Sequence, residues 1–250
     1  MSTTALFIPR LPPLKTEVEA ASFSIEGPKG QNDDRLLDPF ICGKDIIAAI
    51  ADGVGGTAGG GRAAELALDT LKTGLTRNCQ TAFSDLFALA CRRMRDEAAA
   101  SADLARMATT LSAVRLNGAM AEVAHVGDTR IYHLRGSGIV TRTQDQTEVA
   151  ELLRLNVLSA EQAKRYPRRN VITSYLGPDA RYDLLSATFP ICAGDTIVLL
   201  TDGVYNEVKK TELAQMHLVT DNVLDFKAAV ESRLMELGTR DDSSFVALRV

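Results

Sequence analysis

The chain has 250 residues, 46% of them hydrophobic, a formal net charge of −4, no tryptophan and 5% aromatic residues. That is enough apolar material for a large domain with a substantial core, and it lacks the global basic field and aromatic platforms that nucleic-acid binding uses. Cys42, Cys79, Cys91 and Cys192 form no CxxC pair, which argues against structural zinc and points to reduced thiols in an intracellular protein. Prolines and charges interrupt the opening MSTTALFIPRLPPLKTE, where a secretory leader needs an unbroken apolar core. No apolar run approaches the roughly 20 residues of a membrane-spanning helix. A cytoplasmic location is therefore expected.

In chain order, residues 1–18, with Pro9, Pro12 and Pro13, read as an extended arm. A strand is predicted at 20–25. The polar stretch 27–35, GPKGQNDDR, carries Lys29 and the acidic pair Asp33–Asp34 and, taken alone, is an ordinary turn. The β-branched and small apolar residues 46–50 predict a buried strand that ends in Asp52–Gly53 and a glycine-rich loop (Gly53, Gly55, Gly56, Gly59, Gly60, Gly61). A carboxylate there adds nothing to packing, because an unpaired buried charge costs several kcal/mol in rough terms. The glycines let backbone groups approach an ion or a phosphate.

Apolar stripes predict helices over 62–76 and 81–100 that face a core. Short apolar blocks at 109–116, 121–126 and 131–134, with turns at Asn117–Gly118 and Gly127–Asp128, predict a β-meander. Residues 147–177 contain two short helices, the second started by Ser159, and a basic run (Lys164, Arg165, Arg168, Arg169) of the kind that usually forms a solvated face. Strands are predicted at 184–189 and 195–200, the second ending in Thr201–Asp202–Gly203. Helices at 211–215 and 222–237, the pair Asp241–Asp242 and a strand over 243–250 complete the chain.

Acidic residues thus recur at the edges of apolar runs: Asp33–Asp34, Asp52, Asp202 and Asp241–Asp242. Hard divalent cations such as Mg²⁺ and Mn²⁺ take oxygen ligands, a few carboxylates plus retained waters. Two of them about 3.5–4 Å apart can share a carboxylate and activate a water near neutral pH. A single Asp–Gly is weak evidence, but the ordered set is strong.

That set resembles the metal-dependent Ser/Thr protein phosphatases of the type 2C (PPM) family, in their compact bacterial form. The resemblance spans roughly residues 20–250. It rests on Asn32–Asp33–Asp34, Ala51–Asp52–Gly53–Val54–Gly55–Gly56, Ala108–Thr109–Thr110–Leu111, His125–Val126–Gly127–Asp128–Thr129–Arg130, Arg169–Asn170–Val171–Ile172 leading to Leu176–Gly177, Leu200–Thr201–Asp202–Gly203, and Asp241–Asp242–Ser243–Ser244. It implies an α+β fold, a four-layer αββα sandwich of two antiparallel sheets flanked by helices. A catalytic domain would occupy 19–250, with a flap at about 147–178. By analogy Asp52 bridges two Mn²⁺ or Mg²⁺ ions, the Gly53 carbonyl is a further ligand, and Asp202 and Asp241 hold one metal. Asp33 and Asp34 act through waters, and Asp128 helps hold a third, weaker ion. The implied reaction is direct attack of a metal-bridging hydroxide on phosphoserine or phosphothreonine. The implied partners are phosphoproteins and a cognate Ser/Thr kinase, with no nucleic acid or membrane, and the protein is expected as a monomer.

The sequence departs from the family pattern at four positions. Lys29 stands where relatives carry the arginine that grips the substrate phosphate, keeping the charge but losing the bidentate fork. Asp33 replaces Glu, Asp242 replaces Asn, and Gln146 stands where many bacterial members have His. Two alternatives stay open: a weakly active or inactive regulatory relative that binds phosphoprotein, and a hydrolase of small-molecule phosphates.

Overall fold

A computed structural model describes residues 18–54 and 59–250. The expected arm, but for Val18, and the loop glycines Gly55 and Gly56 lie outside the described residues. The chain runs through β1 (Glu19–Ile25), β2 (Asp34–Cys42) and β3 (Asp45–Asp52) into the long helices α1 (Gly60–Arg77) and α2 (Phe83–Ala100). The strands β4 (Leu111–Asn117), β5 (Met120–Val126), β6 (Arg130–Arg135) and β7 (Gly138–Thr141) follow. Two short helices, α3 (Glu148–Arg154) and α4 (Ala160–Lys164), precede β8 (Leu185–Pro190) and β9 (Thr196–Leu200). The chain then passes through α5 (Asp202–Tyr205), α6 (Lys210–Val219) and α7 (Val223–Leu237) into β10 (Ser243–Arg249).

The strands form two five-stranded sheets, ordered β1-β10-β9-β6-β7 and β2-β3-β4-β5-β8, and every pairing is antiparallel. Alternation along each strand decides the layering. On β3, Ile47, Ala49 and Ala51 pack under α1 and α2, whereas Ala48 and Ile50 face the other sheet. On β9, Val198 and Leu200 pack with Phe226, Val230 and Leu234 of α7, whereas Ile197 and Leu199 face inward. Strands buried on both faces read as nearly unbroken apolar runs, which is why 46–50 and 195–200 stood out in the sequence. The result is the four-layer αββα sandwich that the resemblance implied.

Three elements were not anticipated. Strand β2 contains Pro39 and an irregular register between Leu37 and Phe40 that interrupts its alternation, a pattern tolerated because it is an edge strand. Strand β7 is a short edge strand and α5 a single turn, both below the length at which periodicity shows. Ser159 caps α4 as expected, in a capping box with Gln162. Of the basic run, Lys164 pairs with Glu161 and Arg168 with Glu148 at the surface.

The expectation of reduced thiols is corrected for one pair. Cys42, at the end of β2, and Cys79, in the α1–α2 connection, form a disulfide across a sequence separation of 37. No spacing rule links two such cysteines; the layer of α1 on β2 brings them together. Cys91, which is buried, and Cys192 are both free. Among the described residues no helix is long and apolar enough to cross a membrane.

Candidate active site

The inner rows of the two sheets end in polar residues at one edge of the sandwich. Asp52 continues the row of Ala48 and Ile50, and Asp34 lies directly opposite it across the β2–β3 ladder. On the facing sheet, Thr201 extends the row of Ile197 and Leu199, and Ser244 that of Val246 and Leu248. These rows meet. The Thr201 hydroxyl donates to Asp34 Oδ2 at 2.8 Å and accepts the Ser244 amide at 2.9 Å.

The backbone around Asp52 is pinned by the two residues that precede β4. The Asp52 carbonyl accepts the Thr110 amide at 2.8 Å and the Thr109 hydroxyl at 2.9 Å, and the Asp52 amide donates to Thr110 Oγ1 at 3.0 Å. Gly53 is required by packing: a Cβ there would fall 2.4 Å from the carbonyl carbon of Gly60, at the start of α1. Gly203 is tighter still, 2.0 Å from the Asp242 carbonyl oxygen, so α5, which opens with Asp202, lies against the Asp241–Asp242 backbone. Asp128 follows the left-handed Gly127 (φ 110°) in the turn from β5 to β6.

The neighbours Asp33 and Asp34 diverge. Asp34 is buried facing Asp52, but Asp33 Oδ1 accepts the Gly61 amide at 3.1 Å and so caps the open start of α1, whose N-cap Gly59 has no side chain. Asp242 accepts two backbone amides, from Gly27 and from Asp33, each at 2.8 Å. An asparagine would offer one acceptor oxygen where two are used, a physical reason for the carboxylate at this position. Lys29 donates to Asp241 Oδ1 at 2.8 Å.

Lys29, Asp34, Asp52, Asp128, Asp202 and Asp241 line a cleft of about 280 Å³. A second cavity of about 620 Å³ shares Asp128, Asn170, Asp202 and Asp241 and is walled by α3 and α4. Burial pushes the Asp34 carboxyl up to about 7, reinforced by the charges of Asp242 and Asp202. Burial and the charges of Asp34, Asp202, Asp128 and Asp241 hold Asp52 well above the ordinary range. Asp128 is pushed up to about 7 by burial and by Asp202, and Asp202 to about 6 by burial and by Asp241. These carboxyls resist ionising together because they repel one another in a partly dry cleft.

Such a donor set suits a hard cation: it is all oxygen, its charges are offset only in part, by Lys29 and Arg130, and a cation would relieve the repulsion. Among the described residues, no three acidic, His or Cys side chains converge into a ready cage. Ions of this class keep several waters and do not need one.

Sequence reasoning gave no role to several supporting residues. Thr201 and Ser244 fix Asp34; both stand in the motifs of the resemblance, but their role shows only in their place on the inner rows. Arg130 grips Asp145 through two hydrogen bonds, at 2.9 and 2.6 Å, and lies 3.6 Å over the Tyr205 ring. The Gln146 side chain accepts the Gly127 amide and donates to the Asp183 carbonyl, both at 2.7 Å, clamping the Asp128 turn to the segment that leads into β8.

Two sheets, their flanking helices and an acidic cleft at the sheet edge define a class, and the family model for protein phosphatase 2C matches residues 31–237. The chain belongs to the protein phosphatase 2C family. It is 30% identical over 192 residues to serine/threonine phosphatase stp of Listeria monocytogenes, covering 74% of this chain and 76% of that one. The structure of serine/threonine phosphatase Stp1 from Staphylococcus aureus superposes with a TM-score of 0.85 at 22% identity, covering 98% of this chain and 99% of that one. The catalytic domain of the serine threonine protein phosphatase PstP, solved in complex with two manganese ions, gives a TM-score of 0.78 at 23% identity, covering 93% of this chain and 97% of that one.

Proposed function

We propose that this chain is a metal-dependent protein serine/threonine phosphatase acting on phosphoserine and phosphothreonine. The observation that carries the reading is the convergence of Asp34, Asp52, Asp128, Asp202 and Asp241 on one cleft, from both sheets, in a chain of this family. Asp52, Asp202, Asp241 and the Gly53 carbonyl would hold two Mn²⁺ or Mg²⁺ ions, and Asp128 a third, weaker one. When bound, such ions neutralise phosphoryl charge and lower the pKa of a coordinated water. Lys29, at the cleft, orients the phosphoryl group through its ammonium. Asp34 acts from behind Asp52, held by Thr201, and Asp33 acts indirectly by fixing the start of α1.

The second cavity supports a polypeptide substrate. Its 620 Å³ beside the acidic cleft leaves room for chain on either side of a phosphorylated residue, which a small metabolite would not fill. The reading carries with it phosphoprotein partners, an opposing Ser/Thr kinase, a monomer, no nucleic acid or membrane, and a cytoplasmic site of action. The test is hydrolysis of a phosphothreonine peptide, p-nitrophenyl phosphate and a sugar phosphate with Mn²⁺, Mg²⁺ or EDTA. Metal-dependent turnover with higher kcat/KM for the peptide is expected, and preference for the sugar phosphate would contradict the substrate assignment.

A further inference from the structure

Lys29 and Asp241 are brought together by the backbone, not by the reach of a long side chain alone. The Asp242 carboxylate grips the amides of Gly27 and Asp33, on either side of the Lys29 turn. A Cβ on Gly27 would fall 2.5 Å from the Asp241 carbonyl carbon, so the turn lies directly on the Asp241–Asp242 chain. Gly30 closes it with a left-handed φ of 74°. From this clamped turn the Lys29 ammonium reaches Asp241 Oδ1 at 2.8 Å, at the mouth of the acidic cleft. Among the described residues it is the only cation lining that cleft.

We propose that Lys29 is a resident counter-ion for Asp241 that is displaced when a divalent cation binds and is thereby freed for the substrate phosphate. The inference rests on the metal-dependent reading above and adds an order of events to it. Both partners are half-exposed, at 58% and 42%, and an ion pair so placed is weakly held. A divalent ion attracts the same carboxylate more strongly than an ammonium does. Once Asp241 is taken, the ammonium remains tethered at the cleft with three donors to offer, and a phosphate oxygen can accept from it. Lysine suits this exchange better than arginine, whose fork would hold a carboxylate in a bidentate pair.

The test separates the two halves of the exchange by calorimetry, without turnover. Mn²⁺ titrated into the metal-free protein is expected to bind Lys29→Gln about two- to fivefold more tightly than wild type, because an internal competitor is gone. Inorganic phosphate titrated into the Mn²⁺-loaded protein is expected to bind Lys29→Gln about tenfold more weakly. Lys29→Arg keeps a competitor, so its Mn²⁺ affinity stays at or below that of wild type. Unchanged or weaker Mn²⁺ binding by Lys29→Gln, or tighter binding by Lys29→Arg, would overturn the exchange. Wild type that binds no Mn²⁺ would instead refute the metal-dependent reading on which the exchange stands.

Discussion

Asp128→Asn isolates the electrostatic cost of the acidic cleft. Asp128 is 8% exposed, and burial together with the charges of Asp202 and Asp145 pushes its carboxyl up to about 7, against about 3.8 for an ordinary aspartate. Because the folded value is raised, the native state holds the proton more tightly than the unfolded chain does. The associated stability is fully present below about pH 3.8 and is lost as pH rises through about 7. The gap, at about 1.4 kcal/mol per pH unit, amounts to about 4 kcal/mol at pH 8. The substituted asparagine cannot ionise and avoids that cost. In EDTA, Asp128→Asn should therefore melt roughly 10 °C above wild type at pH 8, with the difference vanishing near pH 4. Thermal melts of both proteins from pH 4 to 8.5 in EDTA make the comparison. Melting curves that run parallel across that range, or a variant less stable at pH 8, would refute the argument that the cleft opposes its own ionisation.

Two further outcomes follow from local geometry. Asp242→Asn removes one of two acceptors used by the Gly27 and Asp33 amides and should cost about 1–3 kcal/mol in a urea titration; a cost under about 0.5 kcal/mol would mean that the turn is held otherwise. The Cys42–Cys79 bond closes a span of 37 residues, so reduction should lower unfolding stability by up to about 4 kcal/mol, read as a shift in urea midpoint that Cys42→Ser reproduces. A midpoint indifferent to reductant would show that the two cysteines are not joined in solution.

How much of this was legible depended on whether a feature is local or made by the fold. The buried strands β3 and β9 announced themselves as apolar runs that stop at Asp–Gly, and α1 and α2 by their stripes. Asp52 and Asp202 were legible for the same reason, since a carboxylate ending an apolar run has no packing role. Strand β2 was hidden by Pro39 and its register shift. The parting of Asp33 from Asp34 was equally hidden, because adjacent residues on an extended chain face opposite ways and only the position of α1 shows what Asp33 meets. Thr201 and Ser244 look like ordinary strand-end residues until both sheets are seen to share an inner layer. Gln146 reads in sequence as the loss of a histidine, whereas in the fold its amide is committed to Gly127 and Asp183. The disulfide joins segments that only the packing of α1 on β2 brings together.

The central claim is that carboxylates from both sheets act as one metal-dependent hydrolytic centre. The most direct test is initial-rate hydrolysis of a phosphothreonine peptide at saturating Mn²⁺ by wild type, Asp52→Asn and Asp202→Asn, with EDTA as the blank. Turnover by wild type that EDTA abolishes, and a fall of at least about a hundredfold in each variant, is the predicted result. Wild-type turnover that persists in EDTA, or variants that retain it, would contradict the account.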